Sequence, residues 1–206
     1  MKKNIKLFIA IVVLAGGLFL FFSNTSDYAS SIKNNGAVSK VFINNQNKVK
    51  KITIDNTGIY DVEFSSDDNS VVSDDFRIPR SGEKLVGQLL KKGDQISIPE
   101  NSSIDLTPTN MEFNNNNAIV LDNLGTYFVS KQFNPGDYTV DFSNAEEINL
   151  KTNDELVELQ VTILDKSGKI ISETTLNPEK NKINLPSDSI IKIKGSVPIT
   201  LNKTRT

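Results

Sequence analysis

Two segments of this sequence closely resemble each other. Ile54 to Ser65 is IDNTGIYDVEFS, and Gln132 to Ser143 is QFNPGDYTVDFS. Around them, residues 41–65 align without gaps to residues 119–143, with seven of 25 positions identical. Self-similarity at a fixed spacing indicates a structural unit that is built more than once. This internal similarity therefore predicts a fold made of two related parts.

Two further matches follow in the same order along the chain. The Ser-Gly pair at 81–82 corresponds to the pair at 167–168, and ISIPENSSIDL at 96–106 corresponds to INLPSDSIIKI at 183–193. Three ordered matches predict a tandem duplication of a unit of about 75–85 residues.

The repeated letters favour β-strands that begin at turns. In YTVDF, Tyr138, Val140 and Phe142 fall on one face of a strand because side chains alternate. The preceding NPGD, residues 134–137, predicts a type II turn, since proline presets φ and glycine accepts positive φ. Residues 161–171 predict a hairpin around Asp165-Lys-Ser-Gly.

Turns are also predicted at 99–101 and 186–188, each between two paired strands. No long apolar period of 3.6 residues occurs after residue 23. The sequence therefore predicts an all-β fold of tandem duplicated antiparallel β-sandwich modules.

The N-terminus has the pattern of a membrane anchor. Leu7 to Phe22 contains sixteen residues without a charge, and Lys2, Lys3 and Lys6 precede it. This length lies near the lower end of natural membrane spans and is long for the apolar part of a signal peptide. Because no cut near residues 23–30 leaves small residues at both −3 and −1, an uncleaved signal-anchor is favoured over a cleaved peptide. The lysines predict an N-terminus inside and an extracellular C-terminal part.

These patterns divide the chain into six segments. The run of four asparagines at 114–117 suits a linker because asparagine disfavours strand interiors. One larger sandwich that shares a core between the copies is the alternative to two modules. The predicted segments are a cytoplasmic tail (1–6), a signal-anchor transmembrane helix (7–23), a polar tether (24–39), β-sandwich module 1 (40–110), a linker (111–117) and β-sandwich module 2 (118–206).

Composition excludes several chemistries. The sequence has no Cys and no His, which removes disulfides, thiolate metal sites, a Cys nucleophile and the commonest general base. From Asn24 onward, 20 Lys and Arg (23 minus the first 3) stand against 25 Asp and Glu, a net charge of −5. An acidic surface attracts phosphate poorly, so no nucleic-acid partner is expected. No cofactor is expected either.

A few polar residues are candidates for binding. Two aspartate pairs, Asp67-Asp68 and Asp74-Asp75, are candidate calcium ligands, because oxygen-rich loops at sandwich ends can hold this ion. The spacing of an EF-hand loop is missing, so a solvated loop is the simpler interpretation. No catalytic residue is predicted.

Three further side chains are candidates for contact with a partner protein. Arg77, Arg80 and Tyr127 are expected to be exposed. The sequence has no Trp and few spare tyrosines, which disfavours carbohydrate binding on aromatic platforms.

The second copy resembles a known kind of module. GTYFVSKQFNPGDYTV, residues 125–140, is similar to the G-x-Y-x-V…P-G-x-Y-x-V pattern of poorly characterised extracellular modules in membrane-anchored proteins of low-GC Gram-positive bacteria. The resemblance covers about 85 residues. Ser130 departs from the pattern, as do residues 132–134 and 179–181. The resemblance implies a β-sandwich fold and a location at the cell surface, not an activity.

Together these features predict a single-pass plasma-membrane protein with its N-terminus inside and an extracellular β-sandwich part. The predicted function is non-catalytic binding or scaffolding in the bacterial cell envelope, and not enzymatic. The partner is expected to be another envelope protein or a cell-wall polymer. An accessory subunit of a membrane machine, such as a secretion or transfer apparatus, is the alternative, and a cell-wall-polymer hydrolase is a more distant one.

Overall fold

The structure is a computed structural model that describes residues 26–66, 82, 84–145, 157–195 and 197–204. These residues are mostly in strands, which confirms the predicted all-β class. The elements are α1 (Ser26–Lys33), β1 (Lys40–Asn44), β2 (Lys50–Thr53), β3 (Gly58–Ser66), β4 (Lys84–Leu90), β5 (Gln95–Ile98), β6 (Ser102–Pro108), β7 (Ala118–Leu121), β8 (Leu124–Phe128), β9 (Gly136–Asp141), β10 (Leu159–Leu164), β11 (Ile170–Leu176), β12 (Lys182–Leu185), β13 (Ile190–Gly195) and β14 (Ile199–Lys203).

The strands form three sheets. The largest has eight strands in the order β1-β6-β3-β4-β8-β13-β10-β11, and a sheet of four has the order β12-β9-β14-β7. The third sheet is the pair β2-β5. The smaller sheets lie on one face of the large sheet, here called the inner face, and the opposite face is called the outer face.

The strand order repeats along the large sheet. Adding seven to each number in β1-β6-β3-β4 gives β8-β13-β10-β11, and the same step turns β5-β2 into β12-β9. The match of 96–106 with 183–193 agrees with this topology, because it equates β5 and β6 with β12 and β13. The gapless alignment of 41–65 with 119–143 does not agree, because it equates β3 with β9, which lie in different sheets.

A local motif that recurs in the chain explains the similarity between residues 41–65 and 119–143. The motif Asn-x-Gly-x-Tyr occurs at 56–60, 123–127 and 134–138, at the starts of β3, β8 and β9. In each case the tyrosine hydroxyl donates a hydrogen bond to the carbonyl of the asparagine four residues earlier, at 2.9, 2.7 and 2.6 Å respectively. Such tyrosine corners fix the entry of a chain into a strand. The repeated residues therefore identify strands that begin in the same way. They do not identify strands that occupy equivalent positions in the fold.

The predicted strand pairs around 99–101 and 186–188 are wrong in one respect. β5 pairs with β2, while β6 pairs with β1 and β3, so the turn crosses from one sheet to the other. Asn101 and Asp188 turn these corners with φ of 49° and 56°. The alternating apolar residues of β5 and β6 face each other across a core, which a side-by-side hairpin would not allow. The hairpin of β10 and β11 is confirmed.

Two hydrophobic clusters lie on the inner face. One lies between the β2-β5 pair and strands β1, β3, β4 and β6, with Ile98 and Ile104 fully buried. The other is larger and lies between the four-stranded sheet and strands β8, β10 and β13, around Phe133 and Tyr138. Each half of the large sheet thus packs against its own partner sheet.

The two halves meet in a parallel strand pair, although antiparallel pairing was predicted throughout. Leu85 lies opposite Leu124, and Val86 lies opposite Gly125, where β4 pairs with β8. The other pairs of named strands are antiparallel. One sheet therefore continues through both halves, and the predicted module boundaries stay a prediction.

The described part of the predicted tether over 24–39 contains helix α1. Helix α1 packs on the outer face, where Tyr28 and Ile32 join a third cluster with Ile59 and Phe128. The rings of Tyr28 and Phe128 lie 5.7 Å apart between centroids. Residues 28 and 32 share one face of a helix, which gives this short polar segment an apolar stripe that its composition conceals.

The chain beyond α1 is also held in place. The Asn35 side chain accepts a hydrogen bond from the Ile59 amide at 2.8 Å and donates one to the Ile59 carbonyl at 3.0 Å. Asn35 therefore binds the backbone of β3 as a neighbouring strand would.

The predicted cytoplasmic tail and signal-anchor helix, residues 1–23, lie outside the described residues. Within the described ranges, no helix has the length and apolar character needed to cross a membrane.

Candidate functional site

The large exposed apolar side chains that lie in described strands are on strands at sheet edges. Val41 and Ile43 belong to β1, Val120 to β7, and Ile170 and Ile171 to β11. β1 and β11 end the large sheet, and β7 ends the four-stranded sheet. An edge strand with apolar side chains is a template for pairing with another chain. These edges are the surfaces to consider for binding.

Strand β1 has an inner face and an exposed outer face. Phe42 packs against the inner cluster and Asn44 is 1% exposed, whereas Val41 and Ile43 are 60% and 55% exposed. Asn44 is held by its amide, which donates to the carbonyls of Lys48, Ile98 and Pro99 at 2.9, 3.1 and 2.8 Å. The inner side chains therefore fix β1 firmly while its outer side chains remain uncovered by described residues.

The backbone of β1 is oriented for pairing at the same two residues. The Thr109 amide donates to the Ile59 carbonyl at 3.0 Å, so the odd-numbered residues of β6 bond toward β3. Because bonding direction alternates along an antiparallel strand, the even-numbered residues of β6 bond toward β1. Their partners are Lys40, Phe42 and Asn44. The amides and carbonyls of Val41 and Ile43 therefore point to the side of β1 on which no described strand lies, here called the free edge.

A lysine lies across this edge. The Lys50 ammonium donates to the Ile43 carbonyl at 3.1 Å, which is the carbonyl that the ladder directs outward. Lysine at an edge commonly discourages strand pairing. Lys50 therefore occupies one of the positions that the amide of an added strand would take.

The sequence segment that contains β1 and β2 is basic. Residues 37–54 contain Lys40, Lys48, Lys50 and Lys51 and no acidic residue. Lys40 pairs with Asp55, and its ammonium lies 5.0 Å from the centre of the Phe42 ring. This ion pair lowers the pKa of Asp55. Lys48, Lys50 and Lys51 are exposed and form no ion pair with a described residue.

A second polar cluster lies at the junction of the two halves. Asp61 is buried and accepts hydrogen bonds from the Gly87 amide at 3.1 Å and the Thr109 hydroxyl at 2.7 Å. The Lys84 ammonium lies 3.1 Å from the other carboxylate oxygen. These contacts satisfy the carboxylate, as a buried charge requires. The cluster has a structural explanation and needs no ligand.

A shallow groove of about 360 Å³ lies at the end of β9. Asp141 is the charged side chain in its lining, and hydrogen bonds from the hydroxyl and amide of Ser143 lower the pKa of this carboxyl. Glycoside hydrolysis usually needs two carboxyl groups about 5–10 Å apart. The described lining supplies one, so the groove supports no such chemistry. No group of three or more acidic side chains within the described ranges is placed to hold a metal ion.

The structure corrects one predicted contact residue. Tyr127 is 9% exposed and belongs to the larger inner cluster, because its corner bond to Asn123 turns the ring inward. The predicted exposure of Tyr127 is therefore wrong. Arg77 and Arg80 lie outside the described residues, as do the calcium candidates Asp67, Asp68, Asp74 and Asp75.

Sequence reasoning did not single out Val41, Ile43 or Lys50. The signal was present in KVFIN at 40–44, where apolar residues occupy both faces of a short strand. Recognising it requires the strand order, since the same pattern in a central strand would be buried on both sides. A scan against models of known protein families found no match, and a search of curated proteins found no significant match.

Proposed function

We propose that this chain is a non-catalytic binding or scaffolding protein at the outer face of a bacterial plasma membrane. In this proposal, the free edge of β1 receives an extended segment of another envelope protein, which adds a strand to the large sheet. Peptide recognition by strand addition gains affinity from main-chain hydrogen bonds and specificity from alternate side chains.

The observation that carries the proposal is the coincidence at Val41 and Ile43. Both residues expose an apolar side chain, and both direct their amide and carbonyl groups to the free edge. An added strand would satisfy those backbone groups and cover those side chains together.

The location at the membrane is supported by the sequence alone. The uncharged run Leu7–Phe22 follows three lysines and ends a few residues before α1. α1 packs on the outer face of the large sheet, and the register places Val41 and Ile43 on that same face, opposite Asp105 and Ser103. A membrane anchor before α1 would therefore hold the free edge of β1 close to the bilayer, where membrane proteins are within reach.

The tandem duplication is part of the same proposal. It is supported by the recurrence of strand order at a step of seven and by the match of 96–106 with 183–193. In a duplicated fold, β8 corresponds to β1. The edge of β8 that corresponds to the free edge of β1 pairs with β4. Strand pairing at this edge therefore already occurs once within the molecule.

The test compares edge variants in intact cells. Tagged full-length protein is crosslinked, recovered and analysed by mass spectrometry. Ile43→Pro removes the outward amide and should leave the β1-β6 ladder, because proline is tolerated on an edge strand when its nitrogen faces solvent. We expect this variant to lose a partner that the wild-type chain retains.

Ile171→Ser on β11 is the control for the loss of an exposed apolar side chain, since it removes one from the other end of the same sheet. This variant should retain the partner. Equal recovery with Ile43→Pro, in a chain whose melting temperature is unchanged, would contradict the proposal. A single dominant membrane protein among the recovered partners would identify this chain as an accessory subunit.

A further inference from the structure

We infer that the segment bound at β1 is acidic: an extended strand in which Asp or Glu residues accompany apolar ones. This inference rests on the proposed function and adds the chemistry of the partner. The observation behind this inference is the set of lysines near the free edge of β1, whose exposed side chains are otherwise apolar.

The sequence segment that contains β1 and β2 has a charge opposite to that of the rest of the chain. Residues 37–54 carry a net charge of +4, from four lysines and no acidic residue. The chain from Asn24 onward has a net charge of −5, so the remainder carries −9 (−5 minus +4). Complementary charge at an interface selects partners and raises the association rate. A segment with the same basic character would be repelled.

Two acidic residues beside β1, Asp55 and Asp105, do not cancel this effect at the free edge. Asp55 is paired with Lys40. Asp105 lies opposite Val41 on β6, which is the side of β1 away from the free edge. Lys50, in contrast, reaches the free edge itself through its bond to the Ile43 carbonyl.

The same lysines disfavour pairing between two copies of this chain. An antiparallel β1-β1 pair would bring Lys50 of both copies to one seam, because its ammonium lies at the free edge. Like charges on facing strands destabilise a pair. A second copy is therefore a poor occupant, although its apolar side chains would match.

Lys50 has a defined part in the exchange. Before binding, its ammonium is bonded to the outward carbonyl of Ile43. On binding, an amide of the added strand takes this carbonyl, and the ammonium moves to a carboxylate of the same strand. A partner without a carboxylate would displace the ammonium into water and gain no ion pair in return.

The experiment measures peptide binding to the full-length chain in uncharged detergent micelles. The probes are two fluorescent octapeptides, one alternating Val with Glu and one alternating Val with Lys. A third probe is the Val/Glu peptide with N-methyl groups on alternate residues, which removes the amides of one edge. We expect the Val/Glu peptide to bind about tenfold more tightly than the Val/Lys peptide. N-methylation should abolish binding, and added salt should reduce the preference.

Charge reversal at one lysine supplies the matched comparison. Lys50→Glu should remove or invert the preference between the two peptides. Lys166→Glu changes the same charge at the exposed turn between β10 and β11 and should leave the preference unchanged.

The outcomes separate this inference from the proposed function. Equal binding of the Val/Glu and Val/Lys peptides, still abolished by N-methylation, would overturn the acidic partner and leave strand addition in place. Binding of neither peptide would overturn both. If the chain instead bound phosphatidylglycerol vesicles through Lys50, the basic surface would serve the membrane and not a strand, which would also overturn the inference.

Discussion

Gly87 and Gly125 each lie against a backbone carbonyl of the strand that carries the other. A Cβ atom on Gly87 would lie 2.0 Å from the Thr126 carbonyl oxygen, and one on Gly125 would lie 2.1 Å from the Val86 carbonyl oxygen. Both glycines have positive φ, 68° and 132°. This reciprocal contact lets β4 and β8 approach closely enough to join two halves into one sheet.

Alanine at either junction glycine should destabilise the fold strongly. Positive φ costs an alanine about 1–2 kcal/mol, and the clash with a backbone carbonyl adds about 1–3 kcal/mol. We expect Gly87→Ala or Gly125→Ala to lower the free energy of unfolding by about 3 kcal/mol, measured by urea denaturation. Gly93→Ala is the control, because Gly93 also has positive φ but has nothing within 4 Å of its added Cβ. A loss as large in the control would refute the account of the junction.

The three tyrosine corners predict a matched set of substitutions. Replacing Tyr60, Tyr127 or Tyr138 by Phe removes a hydroxyl whose acceptor is a backbone carbonyl. Each change should lower the free energy of unfolding by about 1 kcal/mol. Urea denaturation of the three variants checks this value. No loss in any of them would show that the corners do not stabilise the strand starts.

These corners also show what the sequence can and cannot reveal. Local patterns predicted the all-β class, the hairpin of β10 and β11, and the positive φ of Gly136 correctly, because each depends on neighbouring residues. The alignment of β3 with β9 was wrong because the same local motif starts both strands. Which strands become neighbours depends on contacts between residues far apart in the chain. The free edge at Val41 and Ile43 can be recognised only once the order of strands in the sheet is known.

The helix at the outer face was missed for a related reason. α1 has the composition of a linker, and its stability comes from Tyr28 and Ile32 packing on a patch assembled from strands of both halves. Tyr28→Ala should lower the free energy of unfolding by about 3 kcal/mol and speed amide hydrogen exchange in α1. The Lys33→Ala change at the end of the same helix serves as the control and should alter neither quantity appreciably. Unchanged exchange in Tyr28→Ala would contradict docking of α1.

Alkaline pH should weaken the fold through buried tyrosines. Burial raises the pKa of Tyr28 and of Tyr127, and Asp122 and Asp61 add to the effect at Tyr127. A group whose pKa is raised on folding stabilises the fold fully below its unfolded pKa of about 10 and loses this contribution as pH rises further. We therefore expect the free energy of unfolding to fall above about pH 10.

The comparison with Tyr127→Phe isolates this effect. Burial lowers the pKa of Lys192, so this lysine adds stability as pH rises toward its ordinary pKa of 10.5, and this contribution is common to both proteins. The wild-type chain should lose more stability than the variant between about pH 9 and 11.5. Parallel curves for the two proteins would count against burial as the cause.

The central claim is that β1 receives a strand from another protein, and photocrosslinking tests it most directly. A benzoylphenylalanine is placed at position 41 on β1 or at position 171 on β11, and cells that express the full-length chain are irradiated. The account predicts a discrete crosslinked product from position 41 and none from position 171. A product from position 171 alone, or from neither position, would contradict it.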